Sequence, residues 1–256
     1  MKSKDAQLGE LVELSALLGR PENNLVVFGE GNTSAKIDDE TFFVKASGYS
    51  LEDIGPEGFV EVRFDPIFDM LNEDHLSDEA IKDGLTAAAV GEGVARPSVE
   101  TFFHASLLKQ EGINFVAHTH ATAVVKLLCS TAFPDCFTGR LYPDEIVVCG
   151  LDYLLIPYTD PGLPLSKAVM TGAREFMDKH GEPAKVVLIQ NHGPIAVGKS
   201  PIEVQKIMFS LVKACEVLEG ALSVGGVHFL TEQQASRIHT RPDEHHRQQI
   251  ISGNTD

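Results

Sequence analysis

His118-Thr119-His120 places two imidazoles at positions i and i+2. Off an extended segment, residues so spaced point the same way and can grip one metal ion side by side. His192 follows the apolar run Val186-Val187-Leu188-Ile189 and offers a third imidazole at a strand end. Three neutral imidazoles leave a divalent cation one open position, as a catalytic site requires. Alone, the pair fits two satisfied strand-edge histidines as readily, because histidine is intermediate in burial. Glu100 and His104 are four residues apart and share a helix face. That pair reads either as a surface ion pair or as a carboxylate held near a metal and oriented by its histidine neighbour.

A second set of residues suits an anion. Gly29-Glu30-Gly31-Asn32-Thr33-Ser34 is glycine-rich between strands, so backbone and the Asn32 amide can approach a charged group. In isolation it is a plain turn. Val44-Lys45-Ala46-Ser47-Gly48 closes the next strand and offers a charge, a hydroxyl and a close backbone approach. Lys45 follows two aromatics, which predicts a partly buried stem. Ser98, in Pro97-Ser98-Val99-Glu100, is placed to N-cap a helix and to face an oxyanion with the first free N–H groups.

These residues need elements to hold them. Leucines at helical spacing predict a helix over 5–19, and Leu25–Phe28 reads as a strand running into the glycine turn. Thr33–Ile37 and Thr41–Lys45 read as a hairpin around Asp38-Asp39. A strand is expected over 59–64, mainly helix over 65–90, and a helix from Ser98 to about Lys109. Ile113–Ala117 reads as the strand that delivers the histidine pair, and Ala121–Leu128 as helix. Strands are expected over 145–156, a helix over 163–179, a buried strand over 185–190 and a long helix over 201–222. Helices mixed with short strands and hairpins indicate an α/β fold with a largely antiparallel central sheet flanked by helices. One domain over 1–236 and a polar C-terminal tail over 237–256 are expected.

The formal net charge is −16, which argues against a nucleic-acid surface and against acidic lipid. It leaves room for a small phosphorylated ligand, which backbone N–H groups, a helix N-terminus and one lysine can hold. No stretch approaches the ~18 unbroken apolar residues of a membrane span. The N-terminal residues lack a signal-peptide core, so a cytoplasmic protein is expected. Cys129, Cys136, Cys149 and Cys215 fall at no metal-like spacing. Cys129, Cys149 and Cys215 lie in apolar contexts, which predicts buried reduced thiols.

Taken in order, Gly31-Asn32, Lys45-Ala46-Ser47-Gly48, Pro97-Ser98-Val99-Glu100, His118-Thr119-His120 and Asn191-His192-Gly193 resemble the class II aldolase/adducin family. Each motif is weak alone, and the fixed order is specific. The resemblance runs from about Leu8 to Leu222. Arg96–Glu100 and the histidine pair look most like the aldolase part of sugar-phosphate aldolases fused to short-chain dehydrogenases, with no dehydrogenase part expected here. The resemblance implies Zn2+, or Mn2+ or Co2+, on His118, His120 and His192. It implies that Glu100 approaches the metal and moves protons. It implies a substrate phosphate on Asn32, Ser47, Gly48 and Ser98, to which Lys45 adds charge. It implies a homotetramer in which Tyr142 donates a proton across a subunit interface, although the local spacing around Tyr142 departs by about a residue from the family pattern.

The activity so implied is reversible cleavage of a ketose 1-phosphate to dihydroxyacetone phosphate and an aldehyde. Three other readings stand beside it. The same site serves a decarboxylase or 4-epimerase of a sugar phosphate. A non-catalytic adducin-like scaffold has no use for three histidines and Glu100 together. A Schiff-base aldolase on Lys45 needs a desolvated or cationic setting that the neighbouring residues do not offer.

Overall fold

In the computed structural model, which describes residues 3–91 and 93–244, the chain forms in order α1 (Lys4–Leu18), β1 (Asn32–Lys36), β2 (Thr41–Lys45), β3 (Phe59–Arg63), α2 (Phe64–Asn72), α3 (Asp78–Ala88), α4 (Thr101–Leu108), β4 (Phe115–His118), α5 (Thr122–Leu128), α6 (Pro143–Cys149), β5 (Leu154–Ile156), α7 (Leu163–His180), β6 (Val186–Ile189), β7 (Gly193–Gly198), α8 (Pro201–Ser223) and α9 (Glu232–His239). The strands make one seven-stranded sheet in the order β3-β2-β1-β4-β7-β6-β5. Only β5 and β6 pair in parallel; every other neighbour is antiparallel. The α/β class and the largely antiparallel sheet are as the sequence indicates.

Successive strand residues point to opposite faces, and the core divides accordingly. Phe42, Val44, Val116, Val187, Ile189, Ile195 and Val197 face one layer of helices, with residues of α2, α3, α4 and α7. Ala35, Phe43, Phe115, Ala117, Val186, Leu188 and Ala196 face the other, with residues of α1, α5, α6 and α8. The alternation also sorts the polar residues of β1. Ser34 meets His104 of α4 on one face, while Thr33 meets Ser15 of α1 on the other, its Oγ1 2.5 Å from the Ser15 Oγ. Among the described residues no helix is long and apolar enough to cross a membrane.

Several expectations are corrected. Leu25–Phe28 is a loop rather than a strand. Its carbonyls serve other segments: Leu25 O accepts from His120 N, at 2.9 Å. Phe28 also sits at φ 54°, which no strand tolerates. Residues 145–156 are mostly not strand: α6 fills 143–149 and only Leu154–Ile156 is extended. Pro143 opens α6, Asp144 and Glu145 sit in its first turn, and both features favour helix over the β-branched run that follows. Ser98 does not cap α4; Glu100 holds the N-cap position and Ser98 lies before it. Cys129 is exposed, whereas the other three thiols are buried, and all four are free. Helix α9 crosses the boundary expected at residue 236, and the tail residues 245–256 lie outside the described residues.

Candidate metal centre and active site

The site forms where β1 begins, β4 ends and β6 turns into β7. Asn32 pairs with His118 across β1 and β4, and His118 pairs with Ile195 across β4 and β7. His192 sits in the tight turn before β7, its N–H donating to Ile189 O at 3.2 Å. Asn191 reverses the chain there at φ 55°. Gly193 is required next to it, because a Cβ at that position would lie 2.3 Å from Thr119 O. Gly31 is required before Asn32: its φ is 70°, and a Cβ would lie 2.8 Å from His118 O. Both glycines let backbones close on the histidine segment.

His118, His120 and His192 each present a ring nitrogen, and the three lie within 4.8 Å of one another. Their rings meet edge to face, with centroids 4.9–5.0 Å apart. The Nδ1 of His118 donates to Pro194 O at 3.0 Å, which leaves its Nε2 lone pair facing the cluster. That Nε2 stands 3.1 Å from the Nε2 of His120. Two such nitrogens on a tetrahedral zinc would lie roughly 3.3 Å apart at ordinary Zn–N lengths. The donor set therefore fits a divalent cation. Burial pulls His118 down to about 4, so its ring is neutral at neutral pH, the form a metal ligand needs. Burial also lowers His120, with the neighbouring His192 acting in the same direction.

Glu100 leans over this cluster from the start of α4. Its Oε1 is 3.4 Å from His192 Nε2 and 3.7 Å from His118 Nε2. Its Oε2 accepts from the Asn32 amide. Burial works against the carboxylate, but His118, His192 and Asn32 together outweigh it and hold the carboxyl below its ordinary value. His104 donates its backbone N–H to Glu100 O at 3.3 Å, but its ring reaches the carboxylate only through Asn32. Its Nε2 meets Asn32 Oδ1, and its Nδ1 meets Ser34 Oγ at 2.7 Å. A second carboxylate, Glu30, stands 3.7 Å from His120 Nδ1. The sequence reading passed over Glu30 and Ser34. Their signal was present only as positions next to Gly31 and Asn32.

The anion set is gathered less tightly. Lys45 is 4% exposed and points its Nζ at Gly29 O, 3.4 Å away. Burial lowers it, opposed by the charge of Glu100. Ser47 bonds its N–H to Arg96 O at 3.0 Å. Ser47, Arg96, Pro97 and Ser98 line one cavity of about 740 Å3, together with Lys82 and His75. The Ser98 hydroxyl is buried there without a partner. Gly48 follows Ser47 at φ 91°, with open space where a Cβ would be. Asn32 is turned away from this cavity, with its amide engaged by Glu100 and His104. Tyr142 stands apart, N-capping α6 and packed under Lys213 of α8 with its ring centroid 5.6 Å from Nζ. Its buried hydroxyl has no partner, and burial pushes it up to about 12.

Residues 9–218 match the family model for the class II aldolase and adducin N-terminal domain. The uncharacterized oxidoreductase YuxG of Bacillus subtilis (strain 168) is 27% identical over 215 residues, which cover 81% of this chain and 29% of that protein. The chain thus spans under a third of that relative's length. Methylthioribulose-1-phosphate dehydratase of the same strain is 27% identical over 212 residues, covering 81% of this chain and 90% of the enzyme. Among solved structures, the N-terminal class II aldolase domain of a conserved protein from Thermoplasma acidophilum superposes with a TM-score of 0.67 at 27% identity, over 86% of this chain and 96% of that one. Other relatives bear the names 3-oxo-tetronate 4-phosphate decarboxylase and L-fuculose 1-phosphate aldolase.

Proposed function

The chain belongs to the class II aldolase and adducin family, and from that membership we propose that it is a metal-dependent lyase cleaving a ketose 1-phosphate to dihydroxyacetone phosphate and an aldehyde. Members of this superfamily include aldolases, dehydratases and decarboxylases acting on sugar phosphates. The family is generally dependent on a divalent metal, and the histidine cluster suits one. The observation that carries the reading is the convergence of three imidazole nitrogens within 4.8 Å, with a carboxylate oxygen 3.4 Å from one of them.

His118, His120 and His192 hold the ion. When bound, a divalent ion such as Zn2+, Mn2+ or Co2+ supplies a Lewis acid that polarises the substrate carbonyl. Glu100 handles the proton. Its Oε2 is anchored by Asn32, so Oε1 is the oxygen free to return a proton to C3 of the triose fragment once the C3–C4 bond has broken. The cavity lined by Ser47 and Ser98 takes the phosphate, with Gly48 admitting it close to the backbone and Lys45 adding charge. The unpartnered Ser98 hydroxyl is a donor waiting for such an acceptor.

The group that exchanges the proton of the C4 oxygen comes from a neighbour in this reading: Tyr142, which burial keeps protonated, gives that proton in the synthesis direction of the reversible reaction. Tyr142 is remote from its own histidine set in the contacts it makes, which suits a homotetramer whose subunits complete one another's sites. Mixing Tyr142→Phe with His120→Ala subunits then restores activity that neither variant has. A fully active monomer by light scattering removes this part of the reading.

The overall test is a panel of sugar and deoxysugar 1-phosphates, assayed with each of the three metals for release of dihydroxyacetone phosphate. Loss of carbon dioxide, or an isomeric sugar phosphate, instead points to the decarboxylase or epimerase reading, and loss of water to a dehydratase. Relatives named as a dehydratase and a decarboxylase, each 27% identical, support a lyase of this second kind. It would place the same histidine set and Glu100 beside a different bond next to the substrate carbonyl.

A further inference from the structure

We propose that Ser34, His104 and Asn32 form a one-directional hydrogen-bond relay that fixes which oxygen of Glu100 carries the proton, making His104 and Ser34 positioning residues for the reaction. This rests on the reading of Glu100 as the proton-carrying group. The relay runs from inside the protein outward: Ser34 Oγ to His104 Nδ1 at 2.7 Å, His104 Nε2 to Asn32 Oδ1, and Asn32 Nδ2 to Glu100 Oε2. Ser34 and His104 are wholly buried and Asn32 is 4% exposed, so the two inner links are shielded from water.

Chemistry fixes the direction of every link. A carboxylate only accepts, so Asn32 must give Glu100 an N–H. The amide oxygen of Asn32 then faces His104 and can only accept. Nε2 of His104 therefore carries the hydrogen. A neutral ring has its lone pair on Nδ1, and the Ser34 hydroxyl donates to it. Burial holds His104 down at about 3, which keeps the ring neutral. Phe103 stacks on it at 4.8 Å between centroids and prevents the ring from turning.

The reverse arrangement is also self-consistent, and this gives the relay its purpose. If Oε2 were the protonated oxygen, it would donate to Asn32 Oδ1. The amide would have to turn over, His104 would have to move its hydrogen to Nδ1, and Ser34 would have to accept. Three buried groups would reorganise together. Protonation of Oε1 requires none of this. The relay therefore directs the proton to the oxygen that faces His118 and His192, and it holds that oxygen still while the reaction proceeds.

Two measurements test this, one of them independent of activity. Long-range 1H–15N spectra of the metal-free protein should show His104 with its hydrogen on Nε2 and an unprotonated Nδ1. The opposite tautomer overturns the relay, whatever reaction the protein catalyses. Kinetics supply the second measurement. His104→Phe keeps the ring shape beside Phe103 and removes both nitrogens; it should lower kcat by the ~10²–10⁴-fold typical of a misplaced proton-transfer group, with KM and metal content unchanged. His104→Gln places an amide donor where Nε2 stood and should recover most of that loss. Ser34→Ala should fall between the two. If His104→Phe keeps its kcat, or if His104→Gln and His104→Phe lose metal and kcat alike, the residue is only structural and the proposal fails. A wild-type protein that cleaves no ketose 1-phosphate overturns the proposed reaction, and the tautomer still decides the relay.

Discussion

Two polar clusters among the described residues, one around Arg140 and one around the three histidines, are built on opposite rules. Around Arg140 every group is satisfied. The guanidinium donates to Glu145 Oε1 at 3.0 Å, to Phe137 O at 2.9 Å and to Leu151 O at 3.0 Å. Glu145 also accepts from Tyr153 at 2.7 Å and from Leu141 N at 2.6 Å. Opposite charges meet, and no atom is left for a ligand. In the histidine cluster, lone pairs face one another 3.1 Å apart, and Glu100 Oε1 has only imidazoles near it. The first cluster is closed and holds loops and α6 together. The second is open at its centre, and that unfinished state is the mark of a site.

The contrast can be broken deliberately. The largest effect is expected at the open cluster. His118→Ala, His120→Ala or His192→Ala should each abolish activity and weaken metal binding by more than the ~10–100-fold that loss of an outer partner costs, while the protein still folds. Elemental analysis after gel filtration checks this, and a variant that keeps stoichiometric metal removes its histidine from the ligand set. Glu100→Gln comes next. It should lower kcat by ~10²–10⁴-fold, since one positioned proton carrier is lost. Thermal melting should show some loss of stability, because His118, His192 and Asn32 favour the ionised carboxylate by more than burial opposes it.

The closed cluster should behave the other way. Glu145→Ala strands the buried Arg140 charge and should cost about 3–5 kcal/mol of stability, read from chemical denaturation. The fraction that stays folded should bind metal as the wild type does. Equal loss of metal affinity would show that the two clusters are coupled. Ser98→Asp should raise KM for a phosphorylated substrate and leave the melting temperature nearly unchanged, as a like charge would face the anion.

The last effect concerns acid. His104 and His118 are held at about 3 and about 4 by burial. The unfolded chain takes up their protons near 6.5. The unfolded state therefore binds more protons below that pH, and stability falls as the pH drops from about 6.5 toward 4. The melting temperature of the metal-free protein should follow this slope, and His104→Gln should flatten it. An unchanged slope would mean that His104 is not buried neutral.

Much of the open cluster was legible because its signals are local. An HxH pair needs only period-two geometry, and His192 announced itself as a strand-end residue before Gly193-Pro194. The hairpin Thr33–Lys45 was legible for the same reason. What the sequence hid depends on helix starts and on contacts between elements. Ile146-Val147-Val148-Cys149 reads as strand from side-chain type, but Pro143 and the acidic first turn start a helix there, and Glu145 is held by Arg140 and Tyr153. Leu25–Phe28 is apolar enough for a strand, but Leu25 O is taken by His120 N and Val27 O closes a turn with Glu30 N. His104 was seen as a helix neighbour of Glu100. That Asn32, from another element, stands between them is a fact of register between β1 and α4, which spacing alone does not carry.

The turn that brings His192 beside the pair has a further consequence. The backbone at Gly193 runs so close to the Thr119 carbonyl that a Cβ would lie 2.3 Å from it, and His118 Nδ1 donates to Pro194 O at 3.0 Å, so the two histidine-bearing segments are fastened to each other. In the proposed reading the three histidines would act as one tridentate chelator whose conformational freedom is already lost on folding. The ion then selects itself by size and bonding preference against a nearly fixed frame, and a misfitting ion must strain the frame or leave a ligand unused. An added side chain at residue 193 would loosen that frame without touching a ligand. It should broaden the range of metals accepted while lowering the affinity for each.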